Sequence, residues 1–218
     1  LTVQLDYLST APLTDQKTLP ADCIVLAAGL SSRMGEWKMS LPLSPVNGPE
    51  EAQTILDHSI ANALSACERV ILVTGFRGEE LAERYQGRSN ILVAHNPDFR
   101  EGMKSSLLCG LARVRAGYAF ITHGDLPFLS SSLFAKLWKV RGDKPVFPVY
   151  KNQHGHPVLV SKKVIKRLIK FNSDKSIKSL LRNDCFDLCI NCRDILRDID
   201  TPETYYAETG LMVNNSSL

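Results

Sequence analysis

From Cys23 onward, short apolar runs alternate with segments of helical periodicity. The apolar runs at 23–27 (CIVLA), 69–75 (RVILVTG), 90–96 (NILVAHN), 118–125 (YAFITHGD) and 144–150 (KPVFPVY) predict strands. Between them, 55–67, 79–85, 103–114 and 131–140 carry the apolar spacing of helices. Strands that are apolar without interruption are usually covered on both faces, so the pattern predicts a mostly parallel central sheet with helices on both sides. After Tyr150 the order loosens into a turn at 151–156, a short strand at 157–161, helical stretches at 162–169 and 176–183, and extended segments at 186–190 and 195–200. These read as a small antiparallel flank and a closing strand of one α/β domain. Residues 1–20 lack periodicity and contain Pro12 and Pro20, so they read as an N-terminal arm; the domain spans 21–210 and a tail follows at 211–218.

Composition changes this picture little. A chain of 218 residues, 44% hydrophobic and 22% charged, fits one ordinary globular core. Its formal net charge of +3 is spread along the chain, which does not call for nucleic acid. No run of about 18 apolar residues calls for a membrane. The first residues lack the basic start and apolar core of a secretory signal, so the expectation is a cytoplasmic protein. Its six cysteines, Cys23, Cys67, Cys109, Cys185, Cys189 and Cys192, then read as reduced thiols, mostly small core residues. The CxxxCxxC spacing of the last three matches an iron–sulfur motif, but it falls on an alternating extended segment and is rejected on that ground.

In open sheets of this kind, ligands bind beyond the carboxyl ends of the strands. The first strand runs there into Leu26, Ala27, Ala28, Gly29, Leu30, Ser31, Ser32, Arg33, Met34, Gly35, Glu36, Trp37 and Lys38. Small residues after a buried strand let the backbone approach a ligand closely. Ser31 and Ser32 add hydroxyls, Arg33 a planar fork and Lys38 a mobile point charge, a set suited to a triphosphate. Spacing excludes two familiar phosphate loops. No lysine directly follows Gly35, and Ser31 stands where a dinucleotide fingerprint needs glycine.

The whole string LAAGLSSRMGEWK resembles the nucleotidyltransferase signature LAAGxSxRMGxxK at every fixed position, in the form of the cytidylyltransferase branch of the MobA-like family. The resemblance covers roughly residues 22–208 and implies a Rossmann-like fold that binds a nucleoside triphosphate and Mg2+. It implies that Arg33 and Lys38 hold the triphosphate and stabilise departing pyrophosphate, while Leu26 to Gly29, Ser31 and Ser32 bind the nucleotide. Guanylyltransferase relatives read LAGG, so Ala28 tilts the nucleotide toward CTP rather than GTP.

Pyrophosphate leaves only when its charge is offset, and a magnesium ion held by carboxylates does this. Asp125 and Asp200 are the candidate metal ligands. Asp125 ends an apolar strand in a Gly-Asp-x-Pro string that resembles the family's GDxP motif. Asp200 precedes Thr201 and Pro202, so helix capping is an alternative for it. His123 and Asp198 read as neighbours of these ligands.

Ser106 lies at a helix start, where it fits either a nucleotide contact or a cap, and it resembles the family's serine beside the base. Gly75 similarly would let the base pack on backbone. His156 and Pro157 resemble the family's GHP segment beside the acceptor; a metal site at His154 and His156 lacks a third ligand nearby in sequence.

The resemblance thus implies transfer of CMP from CTP to the phosphate of a molybdopterin-type cofactor, with a molybdoenzyme receiving the product. Two alternatives stand beside it. One keeps the chemistry but uses a sugar phosphate or another small alcohol phosphate as acceptor. The other is a non-catalytic molybdenum cofactor chaperone.

Overall fold

The computed structural model describes residues 18–43, 53–171 and 176–212. Eight strands form one sheet: β1 (Leu19–Ala27), β2 (Cys67–Thr74), β3 (Ile91–His95), β4 (Tyr118–His123), β5 (Val146–Tyr150), β6 (Gln153–His154), β7 (Val158–Ser161) and β8 (Phe186–Cys189). Their order is β3-β2-β1-β4-β7-β5-β6, with β8 added on β5. The first four strands run parallel, with Val25 opposite both Leu72 and Thr122. β7 then runs antiparallel between β4 and β5, which makes the antiparallel flank, and β8 returns parallel to β5.

Among the described residues seven α-helices accompany the strands: α1 (Ile55–Ala66), α2 (Gly78–Arg84), α3 (Met103–Leu111), α4 (Ser131–Lys139), α5 (Lys162–Ile169), α6 (Ile177–Arg182) and α7 (Pro202–Thr209), the last following β8. Strand alternation explains why both faces need cover. Cys23 and Val25 pack with Leu56 and Ile60 of α1 and Leu133 and Leu137 of α4. Ile24 and Leu26 point the other way, to Leu107 of α3, Leu168 of α5 and Leu181 of α6. Apolar side chains removed from water on two faces supply most of the stabilisation. Caps set the helix starts: Thr54 accepts the Asp57 N–H at 3.2 Å while Asp57 accepts the Thr54 N–H at 2.8 Å, a capping box at α1.

Three expectations are corrected. β1 begins at Leu19, paired with Cys67, inside what composition assigns to the arm; residues 1–17 and 213–218 lie outside the described part. The segment 195–200 is no strand. Arg193–Leu196 forms a 3-10 turn and the chain then runs on outside the sheet, because the Ile199 N–H donates to the Asp125 carbonyl at 3.0 Å and the Ile199 side chain buries beside Met34. All six cysteines are free, but only Cys23 and Cys67 are buried. Apolar content cannot separate central strands from β8, where Phe186, Asp187 and Cys189 are exposed and only Leu188 is half-buried. Among the described residues no helix is long and apolar enough to cross a membrane.

Candidate active site

β1 carries Leu26 and Ala27, both buried, to the carboxyl edge of the sheet, where the chain leaves through the buried Ala28. The turn is made at Ser31 (φ 56°) and Gly35 (φ 75°). The Met34 N–H donates to the Ser31 carbonyl at 2.9 Å, and the Lys38 N–H donates to the Ser31 hydroxyl at 3.2 Å. Met34 pins the loop by burying among Ile55, Ile199 and Tyr205. Ser31 is therefore a loop-setting residue as well as a hydroxyl donor. Gly29 makes no such turn, and a Cβ there would meet nothing within 4 Å. Neither conformation nor packing demands a glycine at 29, so what its missing side chain provides is open room above the backbone. Ser32 and Arg33 project outward from the same loop.

Three other loops close around it. The Gly124 N–H donates to the Leu26 carbonyl at 2.9 Å, which fixes the loop carrying Asp125. The Phe76 N–H donates to the Ala28 carbonyl at 3.3 Å, which brings in the loop after β2. A Cβ at Gly75 would stand 2.5 Å from the Phe99 side chain and 2.9 Å from that of Ala28, so this glycine is required by close packing. The Ile199–Asp125 backbone bond supplies the segment carrying Asp200.

Lys38, read from sequence as a mobile charge, is buried at 8% exposure. Its Nζ donates to Asp125 Oδ2 at 2.5 Å and to Asp200 Oδ1 at 2.8 Å. Arg33, largely exposed, pairs with the other oxygen of Asp200. Burial pulls the Lys38 pKa down, but Asp125 and Asp200 outweigh it and raise it above the ordinary value. Burial pushes the Asp200 carboxyl up, and Lys38 and Arg33 reverse this and hold it below the usual range. The capping alternative for Asp200 does not apply. Thr201 caps α7 with its own hydroxyl, while the Asp200 carboxylate turns to the cations.

Asp125 Oδ1 is buried and has no hydrogen-bond partner among the described residues. A buried carboxylate oxygen without a donor is costly unless a ligand or ion satisfies it. Asp198 lies close by; burial, and then the charge of Asp125, raise its pKa. Lys38 sits among three carboxylates, a concentration of negative charge that one ammonium and the outlying Arg33 only partly offset.

This centre opens into a cavity of about 540 Å³ that Asp125, Asp198, His123 and His156 help to line. The rings of His123 and His156 meet edge to face at 4.6 Å. His156 Nδ1 lies 3.2 Å from the Ile121 carbonyl, which can only accept, so the proton is assigned to Nδ1. Burial, and then the neighbouring His123, press the His156 pKa down to about 3, and burial lowers that of His123 too. Pro157, behind a cis peptide bond, immediately precedes β7, with its neighbour His156 on the cavity wall.

Ser106 is buried against Asn96, whose amide donates to it at 3.0 Å; the cap position of α3 is Gly102, with no side-chain cap bond. Met103, Lys104 and Leu107 of the same helix line the cavity, not Ser106. His154 turns away from His156. Its Nε2 lies 2.8 Å from Asp187, and the Cys185 thiol is 3.3 Å from the same oxygen. Sequence reasoning overlooked Asn96 and the cavity-lining α6. Their signals were faint: one polar residue after an apolar strand, and two cations at helical spacing.

The model of the MobA-like NTP transferase domain matches residues 23–188. The chain belongs to the MobA-like NTP transferase family. It is therefore a nucleotidyltransferase. Among relatives of this transferase is the molybdenum cofactor cytidylyltransferase of Escherichia coli, 45% identical over 185 residues, which are 84% of this chain and 93% of the relative. A mycobacterial structure from strain JC1, a homologue of a Mycobacterium tuberculosis protein, is 26% identical with a TM-score of 0.69, covering 86% of this chain and 94% of the other. A nucleotidyl transferase from Methanothermobacter shares the fold at a TM-score of 0.70 and 19% identity, over 86% of this transferase and 94% of its own chain. Arg33, Lys38 and Asp125 fall within the matched family segment and Asp200 beyond it, so its place in the centre comes from the fold alone.

Proposed function

We propose that this transferase moves CMP from CTP to the phosphate of a molybdopterin-type cofactor and releases pyrophosphate. The observation that carries the reading is the buried Lys38–Asp125–Asp200 centre, with one Asp125 oxygen unpaired, at the mouth of a mainly apolar cavity. The name of the Escherichia coli relative supports cytidylyl transfer to molybdenum cofactor.

The triphosphate lies over the open backbone at Gly29, with Leu26 to Ala28 beneath it and Ser31 and Ser32 beside it. Gly75 and Ser106 lie toward the base. The acceptor phosphate, already ionised near neutral pH, attacks the α-phosphorus of CTP; the new O–P bond forms as the bond to the β-phosphate oxygen breaks. Pyrophosphate carries the electron pair away. Arg33 and Lys38 offset its growing charge, and positioning supplies much of the rest. His156 and Pro157 shape the wall along which the acceptor lies. Both histidines are held neutral, so they exclude water and orient the acceptor without adding charge.

Asp125 and Asp200 fit a magnesium ion. The unpaired Asp125 oxygen is the acceptor such an ion needs, and the two carboxylates are already gathered around one cation, Lys38. Magnesium supplies neutralisation of phosphate charge when bound. Asp125 and Asp200 would hold such an ion, and Lys38 would then be free to reach the phosphates.

Pyrophosphate release with each of the four nucleoside triphosphates, with and without isolated molybdenum cofactor and magnesium, tests the reading. Release that requires CTP, cofactor and metal together is expected. Release with a sugar phosphate alone, or cofactor binding without turnover, would replace it.

A further inference from the structure

The cavity beyond Asp125 is a slot between the sheet and two helices. Leu26, Ile121 and Val158 form its floor, and Leu107, Ile177 and Leu181 face them. A largely apolar slot of about 540 Å³ suits a flat heterocycle better than a hydrated sugar. α6 turns Ile177 and Leu181 into this wall while Lys178 and Arg182, one helical turn apart, line the rim.

These cations line the same cavity as Asp125, Asp198 and the two histidines. The charges acting on His123 are those of Asp125, Lys38, Asp198 and Lys178, and those acting on His156 are His123, Lys178 and Arg182. Asp198 responds to Asp125, Asp200 and Lys38. His123 thus feels carboxylates and cations together, and His156 feels Lys178 and Arg182. Neither Lys178 nor Arg182 has an ion pair within 4.0 Å among the described residues. Asp187, which Arg182 influences, is engaged by His154 at 2.8 Å. Two like charges at this spacing repel each other in the empty cavity and favour an anion between them.

We propose that Lys178 and Arg182 form a second anion site, which binds a negatively charged group at the end of the acceptor opposite the phosphate that reacts. The preferred acceptor is then a flat heterocycle charged at both ends, and a sugar phosphate charged at one end is disfavoured. The assignment of the reacting end rests on the function proposed above.

The test is equilibrium binding of isolated molybdenum cofactor to the full chain, read by intrinsic fluorescence, for wild type and for Lys178→Gln/Arg182→Gln. Both positions are exposed, so the fold is retained; a circular dichroism melt checks this. Cofactor affinity should fall about tenfold or more, as expected when charge-assisted bonds are lost, with CTP affinity unchanged. A single-ended sugar phosphate should bind wild type and variant alike. Equal cofactor binding by both proteins, no saturable binding by wild type, or a matching loss of CTP affinity each overturns the proposal. Binding that weakens in the variant while wild type shows no turnover upholds the anion site and refutes cytidylyl transfer, so the two failures are separable.

Discussion

Lys38 Nζ lies 2.5 Å from Asp125 Oδ2, both side chains nearly withdrawn from water, so the cation proposed to serve the triphosphate is also the counter-charge of the carboxylate proposed to hold the metal. Removing either partner strands a buried charge, which is far more destabilising than losing a surface pair.

Lys38→Ala should lower turnover by about 10²-fold or more, the usual scale for a group that stabilises developing charge. It should also destabilise the metal-free protein by on the order of 3 kcal/mol, at the low end for a buried pair because Asp200 keeps some contact with water. Added magnesium should raise the melting temperature of this variant more than that of wild type. Thermal melts with and without metal check this, and equal shifts would count against a shared site.

Asp125→Asn should keep the shape of the centre while removing its charge. Turnover should fall by about 10²-fold or more, and magnesium should no longer alter the melting temperature. CTP binding measured without metal should persist, because Arg33 and the loop backbone remain. Retained magnesium dependence would move the metal to other ligands.

The two glycines should separate cleanly. Gly29→Val enters open space, so its melting temperature should stay near wild type while CTP affinity falls. Gly75→Ala meets Phe99 at 2.5 Å, so it should cost about 1–3 kcal/mol from overpacking. Calorimetry paired with nucleotide titration distinguishes them, and a destabilised Gly29→Val would show that the space has a structural use.

Stability should decline as pH falls below about 6.5. In the folded chain His156 stays neutral down to about 3, whereas an unfolded histidine takes up its proton near 6.5. The unfolded state therefore gains protons first, and stability is lost as pH falls through that window, at no more than about 1.4 kcal/mol per unit for this one group. The ring borders the cavity, which keeps the slope below that limit. Carboxylates held low, such as Asp200, act at lower pH, whereas Asp198, raised by burial and then by Asp125, takes up its proton earlier in the folded chain and opposes the histidine trend, so the histidine share over pH 4.5–6.5 is read from a variant. His156→Gln should flatten the urea-midpoint profile there; an unchanged profile would assign the slope elsewhere.

Much of this protein could be read from its sequence where a segment answers to local rules. The apolar runs of β1 to β4 and the helices between them follow from periodicity alone, and the loop after β1 announced itself through its small residues and cations. Long-range relations were hidden. Nothing in residues 195–200 says that Ile199 will bond to Asp125 rather than join the sheet, since the deciding partner lies on β4's loop. Lys38 reads as a surface charge until both aspartates are placed around it. Ser31 looked like a ligand contact and also carries the turn, because a left-handed residue need not be glycine. The cations of α6 show in the sequence only as two charges at helical spacing; the cavity beside them gives that spacing a meaning.

Asp200 follows every strand of the sheet in the chain, yet completes a centre whose other members, Lys38 and Asp125, precede β5 to β8. A nascent chain can form β1 to β4, and with them Lys38 and Asp125, while still lacking its last carboxylate. Until residues 197–200 dock, that partly made protein has the loop after β1 but lacks one of the two carboxylates proposed to hold the metal. On the reading proposed above, the centre is complete only once residues 197–200 have been made and docked.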